Sequence, residues 1–490
     1  MYRLTVHWGE EVRVLRGEPG QNLLDLLAQN EIILSAPCKG NGSCKKCRVR
    51  YRSASRTEEV LACQTLVEED AELWVPLVRG GGLTDYQAQW QGTGFGIGAA
   101  LDIGTTTVAA VLVDCASGKS LDAAAALNPQ QACGSDVISR IAACAEGKLE
   151  LQTGLIRKAA ASLLEELCRR NGTGPLNALT LCGNPTMLHL FCGVDPSPIG
   201  RAPFTPVFTR MRTYSGSQLG LPAETVYVLP SASGYIGSDI VCGILSQRLD
   251  QGGVRLLADL GTNGELALYT GTSLACTSTA AGPALEGANI ECGTGGIPGA
   301  VCSVSLSGEE LVLRTVEEKP PLGICGSGLV DLIALLLDAG LIDESGGFAE
   351  DCSHPLARRL RDGRFLLTDT LWLSQKDIRQ FQLAKAAVHA GILSLCGYAG
   401  IDPSSVEELL IAGGLGFYLH RDSALRTGLI PEEFAGKIRS VGNSGLAGAA
   451  LCLLPENREK AVAAAESLEI CELNSDPDFM ERFVDGMSFN

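Results

Sequence analysis

Several things are scarce in this chain. Aromatic residues make up only 5% of its 490 positions. No uncharged apolar run reaches the roughly 18 residues that a bilayer-spanning helix needs; the longest candidate, Leu329 to Leu337, carries Asp331. That argues against a membrane partner. The opening Met1-Tyr2-Arg3-Leu4-Thr5 lacks the charged-then-apolar pattern of a secretory signal, which predicts a cytoplasmic, reducing location. Positive charge is also short: 39 Lys and Arg stand against 56 Asp and Glu, a net charge of −17. Nucleic-acid binding is driven by clustered Lys and Arg, so a nucleic-acid partner is not expected.

Cysteine and glycine, by contrast, are plentiful, at 19 and 58. In a reducing compartment a disulfide scaffold is not expected, and most of these cysteines sit in apolar contexts such as Leu451-Cys452-Leu453, where a small core filler fits. The length exceeds one ordinary core and predicts about three units of 100 to 200 residues. With 46% hydrophobic residues the composition is that of an α/β protein, in which glycines mark tight turns and close backbone approaches.

One stretch organises the rest: Cys38-Lys39-Gly40-Asn41-Gly42-Ser43-Cys44-Lys45-Lys46-Cys47, followed 15 residues later by Cys63. Four thiolates hold a two-iron cluster, and the C-x5-C-x2-C spacing is one residue longer than the plant-type C-x4-C-x2-C. A tetrahedral zinc site more often has two C-x2-C pairs or a Cys pair with a His pair. Here a second C-x2-C is absent and no histidine lies near Cys63. The spacing favours a [2Fe-2S] cluster on Cys38, Cys44, Cys47 and Cys63 over zinc or scattered reduced thiols.

Residues 1 to 16 alternate apolar and polar positions (Leu4, Val6, Trp8, Val12, Val14) around Gly9-Glu10, which predicts a β-hairpin. Leu23, Leu24, Leu26 and Leu27 then share a helical face, and strands are expected at Val49 to Arg52 and Glu72 to Pro76. With the cysteine loop, this order resembles a β-grasp [2Fe-2S] ferredoxin over residues 1–78. The loop is similar to C-x-G-x-G-x-C-G-K-C, with Lys45 where a glycine is usual. Seven cationic residues, Lys39, Lys45, Lys46, Arg48, Arg50, Arg52 and Arg56, surround it with no acid from 39 to 56. They either offset the negative cluster or form a docking face for an acidic redox partner.

Residues 79–98 carry Gly80-Gly81-Gly82 and Gly92-Thr93-Gly94 and read as a flexible linker. An apolar strand ending in Asp102 then meets the turn Gly104-Thr105-Thr106 and a second apolar strand; the plan repeats at Asp259 with Gly261-Thr262-Asn263, 157 residues on. Two such hairpins predict two related halves facing one ligand. Each turn can offer N–H and hydroxyl groups to phosphate oxygens, while Asp102 and Asp259 hold Mg²⁺ through water. A third element, Leu409-Leu410-Ile411-Ala412-Gly413-Gly414, runs an apolar strand into bare backbone against which a nucleoside can lie.

That triplet resembles the acetate and sugar kinase, heat-shock chaperone and actin superfamily, and implies a two-lobed α/β ATPase, multidomain with the ferredoxin. Within it the chain is similar to the ATP-dependent reductive activators of corrinoid-dependent enzymes. Segments 183–191, 201–204, 280–290 and 323–329 carry that likeness. Lobe I is expected over 99–253, lobe II over 254–455 with a return helix to lobe I, and a C-terminal tail over 456–490. Members of the family carry an additional small domain between tether and ATPase; here about 20 residues separate them. His189, between Leu188 and Leu190, reads as a packed core histidine rather than a cobalt ligand.

The resemblance implies an ATP-hydrolysing activase that passes one electron from its cluster to a corrinoid protein, returning Co(II) to Co(I), fed by an upstream low-potential donor. Its cofactors are then the [2Fe-2S] cluster, ATP and Mg²⁺. Asp102 and Asp259 take the catalytic roles, Gly104, Thr105, Thr106, Gly261, Thr262 and Asn263 the phosphates, and Gly413 and Gly414 the adenosine; Glu265 and Glu286 are candidate bases that read more readily as structural. Three alternatives stay open: an electron injector for a dehydratase or ring reductase, a redox-sensing small-molecule kinase, and a nucleotide-gated binding protein. The oligomeric state, a homodimer included, is left open by the sequence.

Overall fold

The computed structural model describes residues 1–8, 11–30, 32, 34, 42, 47–75, 94–349 and 351–489. Cys38, Cys44, most of the cysteine loop and residues 79–93 of the expected linker lie outside the described residues.

The N-terminal unit is a five-stranded sheet in the order β2-β1-β5-β3-β4, with β1 (Tyr2–Trp8), β2 (Glu11–Gly17), helix α1 (Leu23–Gln29), β3 (Arg48–Ser53), β4 (Thr57–Leu61) and β5 (Ala71–Val75). Only β1 and β5 run parallel, the β-grasp arrangement. Helix α1 starts where the Asn22 side chain accepts from the amide of Leu24 at 2.9 Å. Its Leu23, Leu26 and Leu27 are buried against Leu4, Val6 and Leu73. The hairpin register departs from the simple alternation: Leu4 pairs with Leu15, so Leu15 faces the core, and Val12 and Val14 face solvent.

Two six-stranded sheets follow. The first contains β6 (Ile97–Ile103), β7 (Thr107–Asp114), β8 (Lys119–Leu127), β9 (Leu176–Gly183), β10 (Arg212–Ser215) and β11 (Ala223–Val228), in the order β10-β11-β9-β6-β7-β8. Its helices are α2 (Val137–Ala145), α3 (Leu149–Asn171), α4 (Pro185–Cys192), α5 (Gly216–Leu219) and α6 (Ser238–Gln247). The second contains β12 (Arg255–Leu260), β13 (Gly264–Tyr269) and β14 (Leu274–Thr279). Two separate three-stranded sheets follow it in the chain, one of Ala300–Ser307, Glu310–Thr315 and Gly323–Ile324 (β15 to β17), the other of Leu360–Arg361, Arg364–Leu366 and Trp372–Ser374 (β18 to β20). Strands β21 (Glu408–Ala412), β22 (Ile438–Gly442) and β23 (Glu469–Ile470) complete the order β22-β21-β12-β13-β14-β23. Its helices are α7 (Gly326–Asp338), α8 (Gln375–Tyr398), α9 (Gly413–Tyr418), α10 (Arg421–Arg426), α11 (Ser444–Leu451), α12 (Pro455–Ser467) and α13 (Phe479–Asp485).

The sheets repeat one topology. Each has an antiparallel triplet (β6-β7-β8; β12-β13-β14) flanked on its first strand by parallel strands (β9 and β11; β21 and β22). Asp102 and Asp259 therefore hold equivalent places, each on the first strand of its triplet and each facing a parallel neighbour, Cys182 or Ala412. Between the sheets lie α6 and α11, in one cluster that joins Val111 of the first sheet to Leu257 and Leu410 of the second through Val241, Cys242, Leu446 and Ala449. Glycine makes this approach close: a Cβ on Gly243 would stand 2.8 Å from Leu257 Cδ2 and 2.9 Å from Ser444 Oγ.

Residues 456–489, expected from the sequence as a tail, are packed: α12 lies against α6, with Ala461 and Ala465 in the cluster between the sheets, and 469–489 join the second lobe. Strand β23 extends its sheet from β14, and Thr277 Oγ1 donates to the Cys471 carbonyl at 2.7 Å. Phe489 is 1% exposed and stacked on Phe381, while Gln382 Nε2 donates to the Met487 carbonyl at 2.7 Å. Among the described residues no helix is long and apolar enough to cross a membrane.

Candidate functional site

The first turn is held from behind. Asn128 Nδ2 donates to the Gly104 carbonyl at 2.8 Å, Arg140 Nη2 to the Thr105 carbonyl at 2.6 Å, and Gln131 Nε2 to the Thr106 carbonyl at 3.1 Å. In a planar trans peptide the N–H points opposite to the carbonyl, so the amides that follow face the cleft. Gly104 is required there, because a Cβ would stand 2.7 Å from the Thr107 carbonyl oxygen. Asn184, the N-cap of α4, donates from Nδ2 to the Thr105 hydroxyl at 3.1 Å.

The second turn closes with the Gly261 amide donating to the Asn263 carbonyl at 3.0 Å. The two turns meet at Glu286, whose Oε2 accepts from Thr106 Oγ1 at 3.0 Å and from Thr262 Oγ1. The third element arrives as expected at the end of β21, where Gly413 has φ +85°. All ten nucleotide-site residues singled out in the sequence line one cleft: Asp102, Gly104, Thr105, Thr106, Asp259, Gly261, Thr262, Asn263, Gly413 and Gly414. Counted out to solvent it encloses ≈ 1190 Å³.

Five carboxylates line this cleft, Asp102, Asp239, Asp259, Glu265 and Glu286, and among the described residues no lysine or arginine does. Burial raises the Asp259 carboxyl to about 8, with Asp239, Asp102 and Glu286 adding repulsion. Burial and then Asp102 raise Asp239 to about 7, and burial drives Glu265 well above the carboxylate range. Burial raises Asp102 too, against the Asn443 Nδ2 donor at 2.8 Å and the Cys182 thiol. Out of water these like charges repel, and Arg140 behind the first turn is a single cation against five carboxylates. A hydrated Mg²⁺ would add counter-charge and fits this donor set. Among the described residues no three His, Cys, Asp or Glu converge as direct metal ligands. Mg²⁺ keeps several waters and uses few carboxylates, which agrees with that spacing.

In the N-terminal unit Cys47 and Cys63 are buried neighbours, and the Cys63 amide donates to Cys47 Sγ at 3.5 Å. Gln64 Nε2 lies 3.9 Å from Cys63 Sγ, and Gly42 has φ +80°. All the described cysteines are free thiols. Sulfur acceptors with N–H donors aimed at them suit the thiolate ligands of an iron–sulfur cluster. The basic residues nearby are partly neutralised, Arg48 by Glu59 (3.8 Å), Arg52 by Glu72 (3.1 Å) and Arg56 by Glu58 (3.0 Å).

His189 is fully buried and its Nε2 accepts from the Val207 amide at 3.1 Å, so Nδ1 carries the proton donated to the Pro185 carbonyl at 2.7 Å. Both ring nitrogens are engaged, and burial lowers its pKa.

Comparison with known proteins follows the same division. Residues 6–68 match the 2Fe-2S iron-sulfur cluster binding domain, 97–252 the RACo middle region, and 253–490 the C-terminal domain of RACo, the ASKHA domain. The corrinoid activation enzyme RamQ of Eubacterium limosum is 35% identical over 411 residues, covering 79% of this chain and 69% of RamQ. The chain belongs to this family of reductive activators of corrinoid proteins. A second relative, the [Co(II) methylated amine-specific corrinoid protein] reductase of Methanosarcina barkeri, is 28% identical over 57% of this chain and 56% of its own length. A solved structure of a reductive activator for corrinoid,iron-sulfur protein superposes with a TM-score of 0.75 at 26% identity, covering 100% of this chain and 98% of that one.

The middle-region match coincides with the sheet β6 to β11 and its helices, and the C-terminal match with the second sheet. Sequence reasoning missed two residues that line the cleft, Asp239 and Asn443, and one that holds the first turn from behind, Arg140. Asp239 opens α6 outside any phosphate hairpin, Asn443 caps a helix read only as lobe packing, and the buried Arg140 reaches the first turn from α2.

Proposed function

We propose that this chain is an ATP-dependent reductive activator that passes one electron from its cluster to a corrinoid protein in the reducing cytosol, returning Co(II) to Co(I). The observation that carries this reading is the joining, in one family member, of a cluster-ligand pair (Cys47, Cys63) to a two-turn, five-carboxylate nucleotide cleft. Two relatives named for action on corrinoid proteins support the choice of partner.

A bound [2Fe-2S] cluster of this type supplies one electron at a potential near about −400 mV. Cobalamin Co(II) is harder to reduce, and each 59 mV of uphill one-electron gap costs about tenfold in equilibrium constant, or roughly 1.4 kcal/mol. ATP can offset that only by changing how the partner is held, because a ligand shifts an equilibrium through differential affinity alone. Asp102 and Asp259 hold the hydrated cation, the Thr105, Thr106 and Thr262 hydroxyls and the turn amides receive phosphate oxygens, and Gly413 and Gly414 seat the adenosine. Cys38, Cys44, Cys47 and Cys63 would hold the cluster, whose electrons would come from a low-potential donor.

The test is anaerobic: the reconstituted chain, a reductant and MgATP are mixed with a Co(II) corrinoid protein, and the Co(I) absorption is followed. Its appearance only with ATP supports the reading. Equal reduction with and without ATP removes the coupling from it.

A further inference from the structure

Glu286 ends a short 3₁₀ turn, Pro283–Glu286, whose Ala284 and Leu285 are buried in the second lobe. Those anchors aim its carboxylate across the cleft, where one oxygen accepts from Thr106 of the first lobe and Thr262 of the second. The carboxylate lies beside the second turn, with Glu286 Oε1 3.6 Å from where a Gly261 Cβ would be.

The donors that Glu286 occupies are those a phosphate between the turns requires. A carboxylate oxygen makes the same demand as a phosphoryl oxygen, a negative acceptor for charge-assisted hydrogen bonds. The electrostatics match as well. The Arg140 guanidinium is fully buried behind the first turn and donates to the carbonyls of Gly134 and Thr105, the Gln130 amide oxygen and the Met187 thioether. A buried cation whose hydrogen bonds go to neutral acceptors favours anions around it, and after Cys133 and Asp136 it is Glu286, on the cleft side, that stabilises it. Two anions cannot share the position.

We propose that Glu286 is the resident anion of the phosphate site, surrendering the Thr106 and Thr262 hydroxyls to the terminal phosphoryl group of ATP and keeping at least one of them when only a diphosphate is bound. Glu286 thus discriminates the two nucleotides. Its 3₁₀ turn packs against α7, α8 and α9, so its release reaches the helix that carries the adenosine glycines. The inference rests on the ATP-binding reading above.

The test is calorimetric binding of the Mg²⁺ complexes of a non-hydrolysable ATP analogue and of ADP to the full chain with its cluster. Glu286→Ala is expected to tighten the analogue about tenfold by removing a charged competitor, with ADP changing less than about twofold. Glu286→Gln, which keeps the shape and both hydroxyl bonds without the charge, is expected between wild type and Ala, at unchanged melting temperature and iron content. Variants that bind the analogue no tighter than wild type, or that gain equally for ADP, overturn the proposal while leaving ATP binding intact. A wild-type chain that binds neither nucleotide overturns both.

Discussion

Gly413 stands so close to Asp259 that a Cβ on it would lie 2.7 Å from the Asp259 Oδ1 and 3.2 Å from the Leu260 carbonyl oxygen. The backbone proposed to seat the adenosine therefore packs directly on the carboxylate proposed to hold the cation, and φ +85° there is a conformation that only glycine adopts freely.

Gly413→Ala is accordingly expected to destabilise the chain by about 1–3 kcal/mol and to weaken MgATP binding by at least about tenfold. Thermal melting and calorimetric affinity check the two halves separately. A variant with wild-type affinity contradicts the packing of Gly413 on Asp259.

Arg140→Met removes the donors that hold the Gly134 and Thr105 carbonyls. Each buried acceptor left without a partner costs about 1–3 kcal/mol, part of it recovered by no longer burying a charge. Nucleotide affinity is expected to fall more steeply than stability, because the Thr105 peptide is freed to turn its amide away. Affinity measured well below the melting temperature separates the two effects.

The pH dependence has a definite sign. Asp239 and Asp259, raised to about 7 and about 8 from an ordinary value of 3.8, make the folded nucleotide-free chain bind more protons than the unfolded chain between roughly pH 4 and 8. Stability from these groups is lost as pH rises through that window, each contributing at most about 1.4 kcal/mol per pH unit. A melting temperature that falls from pH 6 to 8 in the apo chain, with a shallower slope in Asp259→Asn, is the expected result. Mg²⁺ and nucleotide draw the protons off, so binding at pH 7 is expected to release them into the buffer, which calorimetry in buffers of different ionisation enthalpy measures.

The two centres are separable. Cys47→Ser is expected to abolish the cluster spectrum and corrinoid reduction while leaving basal ATP hydrolysis within about twofold. Asp259→Ala is expected to abolish hydrolysis and leave the iron content and visible spectrum unchanged. Loss of both activities in Cys47→Ser with an intact fold contradicts the division of labour.

Much of this site was legible because its residues sit in local turns. Asp102 with Gly104-Thr105-Thr106, Asp259 with Gly261-Thr262-Asn263, and Gly413-Gly414 each combine an apolar strand with a turn signature, and strand pairing then brings them to one cleft. Asp239, Arg140 and Asn443 left no such mark, since their roles come from contacts across long sequence separation: Asn443 reaches Asp102 across 341 residues. Glu286 was noticed only as a candidate base; that it bridges two hairpins 157 residues apart is visible only in three dimensions. Strand β4, with Thr57, Glu58 and Glu59 exposed, had no apolar alternation to announce it. The packing of 469–489 depends on partners such as Phe381 and Cys276, far back in the chain.

The two helices between the sheets carry a further consequence. α11, reached from β22 of the second sheet, lies on β6 and β9 of the first, and α6, which ends the first lobe, touches β12 and β13 of the second. A cut between residues 252 and 253, where one family match ends and the next begins, therefore strips each half of apolar surface that only the other half covers. The halves are laced together, so they are expected to melt as one cooperative block and to be insoluble when expressed apart.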